Sequence, residues 1–145
     1  MMLVKVLKPI RNYKIGTFNI LVKKHARIVE ERTLKEFKKF VKDWKTKPVF
    51  ESYRRIVNYE AQVVVFTYDP IFKYVDLGTR PHMIRPKSPD GILRFEVDGE
   101  VVFSTYAQHP GFKGRNYTKQ VKKIMKPIWY KEMKLAIEEW RRRTS

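Results

Sequence analysis

From about Thr17 to Lys45, apolar residues recur at spacings of three and four. Leu34, Phe37, Val41 and Trp44 define one face, and Ile20 or Leu21 and then Ile28 continue it toward the N-terminus. Lys35, Lys38, Lys39, Lys42 and Lys45 fall largely on the opposite side, so the segment predicts a long amphipathic helix closed by Lys47-Pro48. Ahead of it, LVKVLKP alternates briefly and predicts a short first strand stopped at Pro9, within an N-terminal arm or strand over 1–16. After Pro48 the period changes. FESYRRIVN and EAQVVVFTY are rich in β-branched and aromatic residues with polar positions interleaved, the pattern of two strands joined by a turn at Asn58.

Asp69-Pro70 ends the second strand, and Pro70 suits the first position of a short helix, PIFKYVDL, with Gly78 as its left-handed stop. Residues 79–91 carry three prolines and no periodicity, and are expected to form a loop too irregular for the core. ILRFEV and EVVFSTY then alternate on either side of Asp98-Gly99, the dipeptide of a type I′ hairpin turn. Ile92, Arg94 and Glu96 would face one side of that ribbon, and Leu93, Phe95 and Val97 the other. Thr118 to Arg143 is helical again through Val121, Ile124, Ile128, Met133, Ala136, Ile137 and Trp140. Pro127 should kink this helix or start a second one, and residues 141–145 should fray. The order predicts one α+β domain over 1–145. Its central antiparallel sheet is built from two hairpins, packed against a long N-terminal helix and a kinked C-terminal helix.

Charge adds a second layer. The net charge of +17 is unevenly spread. Residues 1–47 hold 14 Lys/Arg against 4 Asp/Glu, residues 48–112 hold 7 against 8, and residues 113–145 hold 11 against 3. Basic ends around a neutral middle attract polyanions or acidic protein surfaces, or form solvated lysine faces. Lys35, Lys38, Lys39 and Lys42 are the residues that would face DNA. The chain has no cysteine, which excludes disulfides and thiolate metal sites and fits a reducing compartment. No run approaches the roughly 20 apolar residues of a membrane span, and the start lacks a signal-peptide pattern, so a soluble, unprocessed protein is expected.

Chemistry is sparse. His25 lies on a lysine-rich helical stretch and is expected at the surface. His82 and His109 lie in two long loops that could approach each other, yet a metal would need further ligands, Asp76 or Asp90 being nearest. Histidine spacings typical of metal sites, phosphate-binding glycine loops and a nucleophile elbow are all lacking. Glu138 and Glu139 point in different directions on a helix. The expectation is therefore no catalytic residue, no metal and no cofactor. YRR at 53–55 and GFKGRNY at 111–117 mix aromatic and basic residues as non-specific nucleic-acid sites do, although most of these aromatics also fit core positions.

Two stretches taken together carry a resemblance: KYVDLGTRPH at 73–82 and AQHPGFKGRNY at 107–117. In order they supply Tyr74-Val75-Asp76-Leu77-Gly78-Thr79, the Asp98-Gly99 hairpin, His109-Pro110-Gly111 and Tyr117, followed by a C-terminal helix. This arrangement resembles the small tail-completion or head–tail joining proteins of long-tailed bacteriophages, the lambda Z-like group. The resemblance spans roughly residues 20–140, with about twenty recognisable positions. Asp76 and Leu77 stand where Glu and Phe are usual, and Tyr117 where Phe is commoner.

The resemblance implies a non-enzymatic virion protein of the tail or neck. It would assemble in the host cytoplasm as a homo-oligomeric ring, beside other tail or head–tail connector proteins, around a channel that passes DNA. It marks Tyr74, Gly78 and Thr79 as a motif turn. His109, Pro110, Gly111, Phe112, Lys113, Arg115 and Tyr117 become an interaction loop, with Phe112 and Tyr117 as aromatic anchors if they are not core. Non-specific contact with DNA is compatible with this, and no membrane is involved. The other reading left open is a basic DNA- or RNA-binding accessory protein without catalytic activity.

Overall fold

The computed structural model describes residues 2–5, 15–57 and 60–144. In chain order the elements are β1 (Met2–Lys5), α1 (Ile15–Phe40), β2 (Glu51–Val57), β3 (Glu60–Phe66), α2 (Pro70–Leu77), β4 (Gly78–Thr79), β5 (His82–Ile84), β6 (Leu93–Val97), β7 (Glu100–Ser104), β8 (Ala107–His109), β9 (Phe112–Lys113) and α3 (Tyr117–Thr144). The class is α+β, with the long helices α1 and α3 packed on each other and α1 lying against β2 and β3. Within the span expected as one domain, the chain gathers into two compact units. One comprises the chain up to Phe72 together with Asn116 onward, and the other is Lys73–Arg115.

The first unit holds a three-stranded antiparallel sheet in the order β1-β3-β2. Its centre is β3, where every residue from Ala61 to Val65 is buried, so both faces are covered. The first expected hairpin is therefore present as β2–β3, with Glu51 opposite Phe66 and Val57 opposite Glu60. The turn expected at Asn58 lies outside the described residues, as does Pro9. Among the described residues the second hairpin, β6–β7, does not join this sheet and pairs only with itself. A strand buried on both faces belongs at a sheet centre, and the neighbour β3 finds on its free side is β1, with Met2 opposite Val65.

The buried face of α1 differs from the one expected. It runs through Leu21 and Val22, His25 and Ala26, Val29, Thr33, Phe37 and Val41. Ile20 and Ile28 point outward, Ile20 at 68% exposure. Thr33 conceals the stripe in the sequence. Its hydroxyl donates to the Val29 carbonyl at 2.7 Å, so a polar residue sits in the core with its hydrogen bond made. The helix stops at Phe40, short of Lys45, in a turn where the Trp44 N–H donates to the Val41 carbonyl at 3.0 Å. Trp44 and Ile137, expected to be largely buried, are half-buried.

On α3 the core stripe is Val121, Met125, Trp129, Met133, Ala136 and Trp140, spaced by four, four, four, three and four. The helix is continuous through Pro127, so no second helix begins there. Pro127 has no N–H for the Lys123 carbonyl, but it lies on the exposed side, where water can serve that carbonyl. Residues 141–144 form the last turn of α3. The Thr144 hydroxyl donates to the Trp140 carbonyl at 2.8 Å and Arg143 pairs with Glu139 at 2.9 Å, while three arginines in the last turn complement the helix dipole.

At the far end of this unit an aromatic cluster closes the core. Phe37 stacks on Phe50 at 5.3 Å, Phe72 meets Phe50 edge-on at 5.1 Å, and Phe40 stacks on Tyr117 at 4.5 Å. Tyr117 is thus a core residue and not a docking anchor.

The expectation of a surface His25 is also corrected. Its Nδ1 lies 2.8 Å from Glu132 and its Nε2 3.1 Å from Glu139, so two acceptors on α3 bracket a buried imidazole on α1. Carboxylates only accept, so both bonds are complete when both ring nitrogens carry a proton. The hydrogen bond from His25, then that from Lys24, with the charges of Lys24 and Arg143, holds the Glu139 carboxyl down from the ordinary 4.5 to about 2. A carboxyl lowered on folding stabilises fully above its unfolded value, and that contribution disappears as pH falls toward its folded value. Acid titration of the unfolding midpoint is therefore expected to show a loss between about 4.5 and 2, which Glu139→Gln diminishes. An unchanged acid profile in that variant would remove the α1–α3 ion network from the account of stability.

Candidate functional site

The second unit starts inside α2. The Asp69 carboxylate caps this helix, accepting from the Ile71 and Phe72 N–H groups at 2.8 and 3.0 Å, with Pro70 at the first position, where no N–H is needed. Gly78 ends the helix at φ 80°, the left-handed stop expected of it.

From Gly78 the chain leaves and returns along itself. Gly78 and Thr79 pair with Lys113 and Phe112, and His82, Met83 and Ile84 pair with His109, Gln108 and Ala107. Leu93–Val97 then pairs with Glu100–Ser104. With 85–91 irregular as expected, parts of the two segments expected as loops, 79–84 and 107–113, are thus the two sides of one antiparallel ribbon. Its first two ladders share a register, which sets Arg80 opposite Gly111 and Pro81 opposite Pro110. Two facing prolines, neither with an N–H, account for the gap between these ladders. A second offset follows, where residues 85–92 on the outgoing side face only Thr105 and Tyr106 on the return. Pro81 and Pro110 are interruptions in a ladder, whereas Pro86 and Pro89 lie in the unpaired stretch 85–92, which is irregular as expected.

Glycine makes this closeness feasible at two places. Gly111 has φ 74°, and a Cβ there would come within 3.0 Å of the Thr79, Arg80 and Pro81 backbone. Gly114 and Gly78 face each other so closely that a Cβ on either would strike the other's backbone at 2.7 Å or less. The Arg115 N–H donates to the Val75 carbonyl at 2.9 Å, fastening the return segment to α2.

His82 and His109, opposite each other in register, stack with ring centroids 4.9 Å apart and planes 25° from parallel. The Arg80 carbonyl lies 2.8 Å from His82 Nδ1 and can only accept, so that nitrogen donates. The Gly111 N–H lies 2.9 Å from His109 Nδ1 and can only donate, so that nitrogen accepts. Each histidine is engaged with the backbone of its own side. Among the described residues no three His, Cys, Asp or Glu side chains are grouped to share a metal ion.

Beside the histidines lies a shallow pocket of about 710 Å³. It is walled by Tyr74, Gly78, Thr79, Arg80, Pro81, His82, Ile84, His109 and Phe112. The structure therefore brings the motif turn (Tyr74, Gly78, Thr79) together with the front of the expected interaction loop (His109 to Phe112). Phe112, Lys113 and Arg115 are exposed, whereas Tyr117 belongs to the first unit and its core.

The remaining predicted residues lie elsewhere. Lys35, Lys38 and Lys39 are exposed on α1, and Lys42 in the turn beyond it, with Lys39 paired to Glu36 at 3.0 Å. The YRR stretch has internal duties. Arg54, with the Ser52 hydroxyl, donates to buried Glu30 of α1, and Arg55 donates to Gln62 while lying over the Tyr53 ring. The sequence reading missed His25, Glu132 and Glu139; the signal was a histidine one turn from Val22 and Val29, on the true apolar stripe. No helix among the described residues is long and apolar enough to cross a membrane. No family model, curated protein or solved structure matches this chain.

Proposed function

We propose that the chain is a non-enzymatic structural component of a bacteriophage virion. In this reading it is a tail-completion or head–tail joining protein that forms a ring at the head-proximal end of the tail. One observation carries the reading. The two stretches that bear the resemblance, 73–82 and 107–117, are distant in sequence, yet their parts 78–82 and 109–113 lie in one register as a ribbon held by Gly78, Gly111 and Gly114. The ribbon presents Phe112, Lys113 and Arg115 outward, as a surface for neighbouring subunits or connector proteins requires. The chain would work in the tail or neck, having assembled in the host cytoplasm. The test is genetic. With the gene deleted from the genome that encodes it, heads and tails are expected to accumulate unjoined, and protein supplied in trans should restore joined particles. Normal particles from the deletion would end this reading.

A second reading, a DNA- or RNA-binding accessory protein, is favoured by where the charge lies. The first unit holds 25 Lys/Arg against 10 Asp/Glu, and the second 7 against 5. If phosphates alone are recognised, binding should be independent of sequence and fall steeply as salt rises. Neutralising Lys35, Lys38, Lys39 and Lys42 together should weaken it at every sequence and flatten the salt slope. Unchanged DNA affinity in that variant assigns these lysines to solvent or to protein contacts.

A further inference from the structure

We propose that the β6–β7 hairpin docks onto helix α3 of a second copy of this chain. The inference deepens the assembly reading and rests on it for its biological setting, but its test is a solution measurement that needs no particle. Both faces of the hairpin carry apolar side chains. Its register puts Val101 and Phe103 beside Glu96 and Arg94 on one face, with Ile92 just ahead of the ladder, and Leu93, Phe95, Val97 and Val102 beside Glu100 on the other. Ile92 and Phe103 are 64% and 65% exposed, and Val97 and Val101 46% each. A two-stranded ribbon is marginal alone, and contiguous exposed apolar surface of this kind marks an interaction site.

Charge selects the occupant. Glu96, Asp98 and Glu100 crowd the tip against the single cation Arg94, so 92–106 carries a net −2 in a chain of +17. Three carboxylates among apolar side chains oppose nucleic-acid phosphates and anionic lipid, and favour a basic protein surface. That surface exists on this chain. Along α3, Lys123, Lys126, Tyr130 and Lys134 recur every three or four residues and are all exposed, Tyr130 at 56%. Phe103 and Ile92 would pack on the Tyr130 ring, while the acidic tip meets the lysines one turn to either side. Hairpin on one copy and helix on the next form a heterologous contact, the kind that closes into rings.

The test combines isotope-labelled and unlabelled protein carrying a photoreactive phenylalanine analogue at position 103, with sedimentation of variants. Cross-links between labelled and unlabelled copies, mapping around Tyr130, are expected. Phe103→Asp and Tyr130→Asp should each weaken self-association at least about tenfold, with unfolding midpoints unchanged because both side chains are exposed. Glu96→Lys with Glu100→Lys should weaken it too, and Lys126→Glu with Lys134→Glu on the partner copy should restore it. Three results overturn the proposal: a wild-type chain monomeric at its solubility limit, cross-links confined within single copies, or undiminished association of Phe103→Asp. Loss of self-association from these variants alongside normal head–tail joining would sink the tail reading and leave the copy-to-copy contact standing.

Discussion

Replacing Phe37 or Trp140 by alanine is expected to cost about 3–5 kcal/mol each, measured by denaturant unfolding. Both side chains are almost fully enclosed, and each is tied to aromatic neighbours. Phe37 stacks on Phe50 and meets Phe72 edge-on at 6.1 Å, and Trp140 meets Phe18 edge-on at 5.6 Å. Truncation removes the transfer free energy and leaves a cavity in walls formed by two long helices, which cannot collapse into it without breaking their mutual register. Trp129, at 2% exposure, should behave alike. Ile20→Ala supplies the control: its side chain faces solvent, so the change should stay within about 0.5 kcal/mol. Were both Phe37→Ala and Trp140→Ala to cost less than about 1 kcal/mol, the α1–α3 packing described above would be wrong. A loss of this size is a large share of the roughly 5–15 kcal/mol that holds an ordinary domain folded, so these variants should also express poorly.

What the sequence shows clearly is local. Asp98 and Gly99 take φ 50° and 82°, as the hairpin turn demands, and Asp69, Pro70 and Gly78 start and stop α2 where their chemistry requires. Such signals reside in one or two residues and survive any tertiary context. Faces were harder. Leu34, Phe37 and Val41 place the stripe of α1 correctly at one end, and of the alternatives Ile20 and Leu21 at the other it is Leu21 that is buried. Carrying the stripe through Ile28 follows side-chain size, whereas the helix buries Thr33, Ala26 and His25. Polar side chains can be core when another element satisfies them, and that element, α3 with Glu132 and Glu139, is more than a hundred residues away. The same misreading turned Ile124 and Ile128 inward in place of Met125 and Trp129.

The candidate site shows the opposite limit. Pro81 and Pro110 are correct signs of missing ladder hydrogen bonds, yet two prolines set opposite each other cost the ribbon only one gap. No local pattern reports that 79–84 and 107–113 are partners, because pairing over roughly thirty residues depends on register, which the sequence reveals only through complementary short motifs. The resemblance names both motifs but not the contact between them.

Gly111→Val and the double change Phe112→Ala with Lys113→Ala should separate folding of the ribbon from its use. A valine Cβ at 111 strikes the Thr79 carbonyl oxygen and the Arg80-Pro81 peptide, all backbone, at a φ of 74° that a β-branched residue resists. The β4–β9 and β5–β8 ladders should therefore open, visible as fast exchange of the amides of 78–84 and 107–113 with the α1–α3 core still protected. Gly99→Asn is the matching control, since φ there is 82° but nothing lies within 4 Å of a Cβ and asparagine tolerates the conformation. Phe112 and Lys113 are exposed on β9, so removing both side chains should leave the ladders and the unfolding midpoint near normal. If the chain joins heads to tails as proposed, joined, infectious particles should nevertheless fall to background when the double variant replaces the native protein, because an exposed aromatic beside a cation is the side-chain pair most able to anchor a neighbouring subunit. If the double variant gives a full yield of particles while Gly111→Val gives none, the ribbon serves as a scaffold and its outward side chains contact no partner. The assembly surface would then lie elsewhere on the chain.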